Sequence, residues 1–251
     1  MAGFLEICVD SLASARAAIA GGADRLELCS ALALGGLTPY TELLNQIRRE
    51  SHIPVRCLMR PRPGDFLYTP EEISLMAAQI RQLRDAGADG FVIGCLSPDG
   101  CLDETAMEPL LLAAQDKALT LHRCIDVSCD PEQTYLAAKA LGIDTVLTSG
   151  ACGSCTEGMD TIGRLLILRD TFGGPEVLVG AGVNATVIRA FRRRFPQVCA
   201  FHMSGKGEIL SAMRFRREGV PMGAPGFDEW HIQQTDTQAV QAARTALDEA
   251  V

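Results

Sequence analysis

Polar and apolar residues alternate in three short segments, Phe4-Leu5-Glu6-Ile7-Cys8-Val9, Arg25-Leu26-Glu27-Leu28-Cys29 and Leu119-Thr120-Leu121-His122-Arg123. One parity holds Leu, Ile and Val and the other Glu, Cys, Thr and His, so a strand of period two has one apolar and one chemical face. Strands of an ordinary parallel sheet are covered on both faces and read as continuous apolar runs. Polar residues confined to one parity therefore predict a face that lines a site, as a barrel interior does.

Strand patterns recur at residues 4–9, 25–29, 54–59, 90–94, 118–122, 145–148, 176–180 and 200–203. Amphipathic stretches at 11–20, 40–50, 70–86, 104–116, 131–141, 161–171, 185–195 and 237–250 alternate with them. Gly-Gly-Ala-Asp (21–24), Ala-Gly-Ala-Asp-Gly (86–90) and Leu-Gly-Ile-Asp (141–144) stop a helix just before a strand and read as one recurring joint. Repeated βα units predict an α/β protein built as a single (β/α)8 TIM-like barrel over residues 1–251. The alternative, a doubly wound open sheet, usually has fewer strands and a Gly-rich first turn, which is absent after Val9.

Length agrees with one domain, since 251 residues match the roughly 250 of such barrels and no Pro/Ser-rich linker divides the chain. A net charge of −8 and a pI near 5.1 speak against nucleic-acid or anionic-membrane surfaces, so the expected partner is small. No apolar run approaches the roughly 20 residues of a membrane span, and Met1-Ala2-Gly3-Phe4 runs directly into a strand pattern, so the cytoplasm is expected. The ten cysteines sit mostly in apolar strand contexts, where a reduced thiol packs as a small hydrophobe.

Barrel chemistry belongs at the C-terminal ends of the strands. There the expected inward set is Glu6, Cys8, Arg25, Glu27, Cys29, Arg60, His122, Thr148, His202 and Ser204. Its opposed charges hold one another ionised in a water-poor cavity, as an ion-pair layer that fills the barrel or as a site. The loop Arg60-Pro61-Arg62-Pro63-Gly64-Asp65-Phe66-Leu67-Tyr68 offers two guanidiniums as an anion clamp, or as partners of Asp65 and nearby carboxylates. In His122-Arg123-Cys124-Ile125-Asp126, a carboxylate four residues after a histidine could orient it as a general acid or base. The glycines at 180, 182 and 205 could bring backbone N–H groups to a phosphate, or merely serve turns.

Cys8 and Cys29 each stand two residues after a glutamate on consecutive strands, which brings two soft ligands within reach of one Cu(I) ion; packing is the alternative. Cys152-Gly153-Ser154-Cys155 is a single CxxC without the second pair of a structural zinc site.

Glu6-Ile7-Cys8, Gly22-Ala23-Asp24-Arg25-Leu26-Glu27-Leu28-Cys29, Gly35-Gly36-Leu37-Thr38-Pro39, Arg60-Pro61-Arg62 with Gly64-Asp65-Phe66 and Tyr68, His122-Arg123 with Asp126, Val146-Leu147-Thr148-Ser149-Gly150, and Phe201-His202 with Ser204 together resemble the CutC family. Met213-Arg214-Phe215-Arg216 is similar to its tail signature, whereas Cys124-Ile125 stands where the family commonly has Ala-Phe. The resemblance implies a cytosolic, usually homo-oligomeric TIM-like barrel named for copper homeostasis and binding Cu(I). Two functions stay open: a copper homeostasis protein using Cys8 and Cys29, or an enzyme acting on a small anionic molecule, phosphorylated or not. In the second, Glu27, His122 and Asp126 are the acid/base candidates, and Glu6, Arg25, Arg60, Arg62, Asp65, Arg123, Thr148, His202 and Ser204 line the substrate site.

Overall fold

The computed structural model describes residues 3–217, 219, 220, 222 and 228–249. Eight parallel strands, β1 (Phe4–Val9), β2 (Arg25–Leu28), β3 (Val55–Leu58), β4 (Gly90–Ile93), β5 (Ala118–Leu121), β6 (Thr145–Thr148), β7 (Glu176–Val179) and β8 (Ala200–Met203), close into a barrel in sequence order. Each is followed by a helix: α1 (Leu12–Ala20), α2 (Thr41–Glu50), α3 (Pro70–Asp85), α4 (Glu104–Ala114), α5 (Pro131–Ala140), α6 (Met159–Phe172), α7 (Ala185–Arg194) and α8 (Thr237–Asp248). The (β/α)8 expectation is met. Between β8 and α8 lies an antiparallel hairpin, β9 (Lys206–Leu210) paired with β10 (His231–Thr235), which the sequence pattern does not announce.

The two parities divide as alternation requires. Leu5, Ile7, Val9, Leu26, Leu28, Val55, Phe91, Ile93, Val146, Val177 and Phe201 belong to the core between barrel and helices. The other parity fills the barrel. Among these residues Phe4, Leu147, Leu178 and Ala200 make a small apolar cluster. Beside it stand the buried charges Glu6, Arg25, Glu27 and Arg56 of β1, β2 and β3. Thr148 is a correction, because Thr145 and Leu147 are the β6 residues that face inward and Thr148 has the parity of the core residue Val146.

The recurring joint has a physical basis. Asp24, Asp89 and Asp144 each turn a carboxylate back to the first or second amide of the preceding strand, accepting from Leu5 N (2.7 Å), Val55 N (2.7 Å) and Leu119 N (2.6 Å). An acceptor at that position satisfies a donor that the barrel ladder leaves over. Gly22, Gly87 and Gly142 precede them at φ of +93°, +95° and +74°, a region that favours glycine. Helix starts are fixed by side chains as well: Thr69 and Glu72 form a reciprocal capping box on α3, and Asp130 and Asn184 cap α5 and α7.

Candidate active site and metal centre

The C-terminal mouth of the barrel holds a cleft of about 900 Å³ whose lining includes Cys8, Glu27, Cys29, Arg60, Phe66, His122, Asp126, His202 and Ser204. Its base is set by strand register. Glu6 lies level with Arg25 on one side and with His202 on the other, and Cys8 lies level with Glu27. Arg25 Nε donates to Glu6 Oε2 at 2.5 Å, His202 Nδ1 meets Glu6 Oε1 at 2.8 Å, and His202 Nε2 stands 3.6 Å from Glu27 Oε2.

These neighbours set the protonation states. Burial alone would raise the Glu6 carboxyl, but the Arg25 guanidinium and His202 hold it down to about 2. Glu27 has less compensation: burial pushes it up to about 6, with His202 opposing and Glu6 adding to the rise. His202 is buried, which would lower it, yet the Cys8 sulfur and the Glu27 and Glu6 carboxylates beside it raise it well above the usual histidine value. Thus Glu6 and His202 form a charged pair, and Glu27 is the carboxylate poised to exchange a proton near neutrality.

One ligand atom each from Cys8, Glu27 and His202 lies within 4.8 Å of the other two. This differs from the expected pairing of Cys8 with Cys29. Cys29 stands two residues beyond the level of Cys8, about 6–7 Å further along a strand, and its thiol donates to the Glu27 backbone carbonyl at 3.8 Å. Burial, and then the Glu27 carboxylate, push that thiol well above the ordinary value. Cys8 is therefore the sulfur of the cluster, with a carboxylate and an imidazole as neighbours.

On the opposite wall, His122 is held as a neutral ring. Its Nδ1 accepts from Cys124 N at 3.1 Å, which leaves the proton on Nε2, and burial, then Arg60, lower its pKa to about 3. Nε2 is buried without a protein partner. Phe66 covers the ring at 4.6 Å between centroids, and Gly94 makes room for it, since a Cβ there would lie 2.6 Å from His122 Cε1. Asp126 does not orient His122, as the sequence had suggested. Its carboxylate accepts from Thr148 Oγ1 (2.5 Å), Ser149 N (2.9 Å) and Oγ (2.9 Å), Ala151 N (3.1 Å) and Arg123 Nε (2.7 Å), tying the β6 loop to the β5 loop.

The two clamp arginines part company. Arg60 lines the cleft, but its Nη atoms donate to the carbonyls of Leu34, Gly36 and Gly64 at 2.9–3.1 Å, leaving only Nε without a partner. Arg62 turns away to Glu72 (2.6 Å) and to Asp65 (2.9 Å), whose side chain is exposed. Neither Arg62, Asp65 nor Thr148 is part of the lining. Arg56, by contrast, escaped the sequence reading: it bridges Thr120 and Thr145 inside the barrel at 2.5 and 3.0 Å, and burial, then Arg25, lower it to about 10. Asp10, Lys206, Glu208 and His231 also border the cleft. Arg56 and Asp10 were signalled, the first by its parity within 54–59 and the second by following β1 directly.

Comparison with known proteins agrees with this architecture. The CutC family matches residues 4–207. Curated relatives named as family protein CutC include those of Chromobacterium violaceum, 41% identical over 98% of both chains, and Porphyromonas gingivalis, 40% identical over 97% of both. Among solved structures, a copper homeostasis protein CutC from Streptococcus agalactiae superposes with a TM-score of 0.75 at 27% identity, covering 80% of this chain and 98% of that one. A phosphoribosyl anthranilate isomerase from Thermococcus kodakaraensis shares the fold at a TM-score of 0.57 and 13% identity, covering 99% of this chain and 100% of that one.

Proposed function

Since the chain belongs to the CutC family, we propose that it serves copper homeostasis by binding Cu(I) as cargo at the base of the cleft. The observation that carries this reading is the convergence of Cys8, Glu27 and His202 within 4.8 Å. The Cys8 sulfur is the soft donor that favours Cu(I) over hard cations, and imidazole is a second suitable ligand. The carboxylate of Glu27 is the poorest of the three donors for Cu(I). Its use is to balance charge and take up a proton as the ion displaces those on sulfur and imidazole.

The test is anaerobic competition for Cu(I) against a chromophoric chelator. Wild type and C29S should retain one tight equivalent, while C8S loses it and E27Q weakens it. Full retention by C8S, or loss only in a C152S/C155S variant, would overturn the assignment. Zinc titrated in parallel tells soft-metal selectivity from general affinity for divalent ions. A thiol site fits a reducing compartment, the cytoplasm. The exposed Ile209 and Ile232, directly opposite each other on one face of the β9–β10 hairpin, supply an apolar contact for a homo-oligomer, which sedimentation measures.

A second reading is favoured by His122. A neutral imidazole in the cleft lining whose buried Nε2 has no protein partner, across from a carboxyl at about 6, is the equipment of an enzyme that donates a hydrogen bond to a substrate oxygen and moves a proton. Thermal-shift screening of phosphorylated and carboxylated metabolites tests it: H122N should abolish the shift from any hit, and R62A should leave it unchanged. Equal shifts in wild type and H122N would remove this reading.

A further inference from the structure

We propose that Cys101 and Cys129 are a thiol pair that closes into a reversible disulfide, linking the β4–α4 loop to the β5–α5 loop. The sulfurs come from separate loops and stand 3.4 Å apart. They are the two exposed cysteines among the ten, the others being buried or half-buried.

The backbone already holds the pair in place. Cys129 N donates to Gly100 O at 2.9 Å, and that carbonyl belongs to the peptide unit that leads into Cys101. Ser97 braces the same turn, its backbone N–H donating to Cys101 O at 2.8 Å and its hydroxyl accepting from Cys101 N at 3.2 Å. On the other side Asp130 caps α5 immediately after Cys129. A disulfide demands Cα atoms about 4.4–6.8 Å apart and facing Cβ atoms, and the hydrogen bond from Cys129 N to the Gly100 carbonyl holds the two backbones together next to the sulfurs. The neighbouring sulfur also raises the Cys101 thiol, as expected of two thiols sharing a proton.

The oxidant is a low-molecular-weight disulfide of the glutathione class. One protein thiolate attacks a sulfur of the oxidised form, releasing one glutathione thiolate and leaving a mixed disulfide. The second protein thiolate attacks the protein-bound sulfur and releases the other. Two cysteine thiols are oxidised, one glutathione disulfide is reduced to two thiols, and no further electron acceptor is needed. The closed state joins the segment that carries His122 and Cys124 to the one after Gly94, so oxidation stiffens one wall of the cleft.

The experiment treats native full-length protein with oxidised glutathione, blocks remaining thiols with iodoacetamide and maps the products by mass spectrometry. Tryptic peptides keep Cys95 with Cys101 and Cys124 with Cys129, so fragment spectra must assign the sulfurs. Wild type should lose two hydrogens and two alkylation sites, with a Cys101–Cys129 link reversed by dithiothreitol. C101S and C129S should each instead keep one glutathione adduct at the surviving exposed thiol. Free thiols at both positions after treatment, stable mixed disulfides there, or a link mapped to another pair would each overturn the proposal.

Discussion

Replacing His122 by Asn separates what its buried neutral ring contributes from what its hydrogen bond contributes, because Asn Oδ1 can still accept from Cys124 N. Folded His122 titrates at about 3, against 6.5 for an ordinary histidine. Below about pH 6.5 the unfolded chain takes a proton that the folded chain refuses, so this residue makes stability fall with acidification until about pH 3. Integrated from pH 7 to pH 5, the loss is about 2 kcal/mol. Glu27 works against it in the same window: its folded pKa is raised from 4.5 to about 6, so folding takes up a proton there and stability grows as pH falls. The informative quantity is thus the difference between wild type and H122N in urea unfolding, measured from pH 7 to pH 5. Asn leaves part of the site under Phe66 and beside Gly94 empty, which lowers stability at every pH. The wild-type advantage should shrink by about 2 kcal/mol toward pH 5; parallel curves would refute the neutral, desolvated ring.

Three further substitutions probe the scaffold. R56A should lower unfolding free energy by about 3 kcal/mol, through the cavity it leaves and its lost bonds to Thr120 and Thr145, as read from urea midpoints. D126A should cost about 2–4 kcal/mol and speed hydrogen exchange at the amides of Ser149 and Ala151, which its carboxylate now binds; unchanged exchange would show that the β6 loop is held by other means. G94A should cost about 1–3 kcal/mol and shift the His122 ring resonances, since the added methyl meets Cε1 and the Cys124 sulfur.

The barrel was legible because alternation is a local property: whichever way β1 packs, Glu6 and Cys8 share one face and Leu5 and Ile7 the other. What escaped depended on geometry between segments. Cys8 and Cys29 have the same spacing after a glutamate, but the register puts Cys8 beside Glu27, and no feature of either strand alone encodes that stagger. Arg60 and Arg62 are alike as text. Phe66 and the Leu34, Gly36 and Gly64 carbonyls hold one at the cleft, while Glu72, already committed to the α3 cap, holds the other outside. Arg56 carries little signal because a single polar residue in Val55-Arg56-Cys57-Leu58 makes a faint alternation. The β9–β10 hairpin was invisible because Lys206–Leu210 and His231–Gln234 bury almost nothing, so no face had to be apolar.

The pairing of β1 with β8 fixes an order of assembly. Glu6 can meet Arg25 as soon as β2 exists, but its second partner, His202, lies 196 residues away. At about 5–20 residues per second of synthesis, the first strand waits roughly 10–40 seconds with one hydrogen-bonding edge open. Contacts of such sequence separation form late because their loop-closure entropy must be met first. The Cys8, Glu27 and His202 cluster is accordingly a reporter of completed folding: a nascent chain lacks it, and the ring that closes the barrel is the one that creates it.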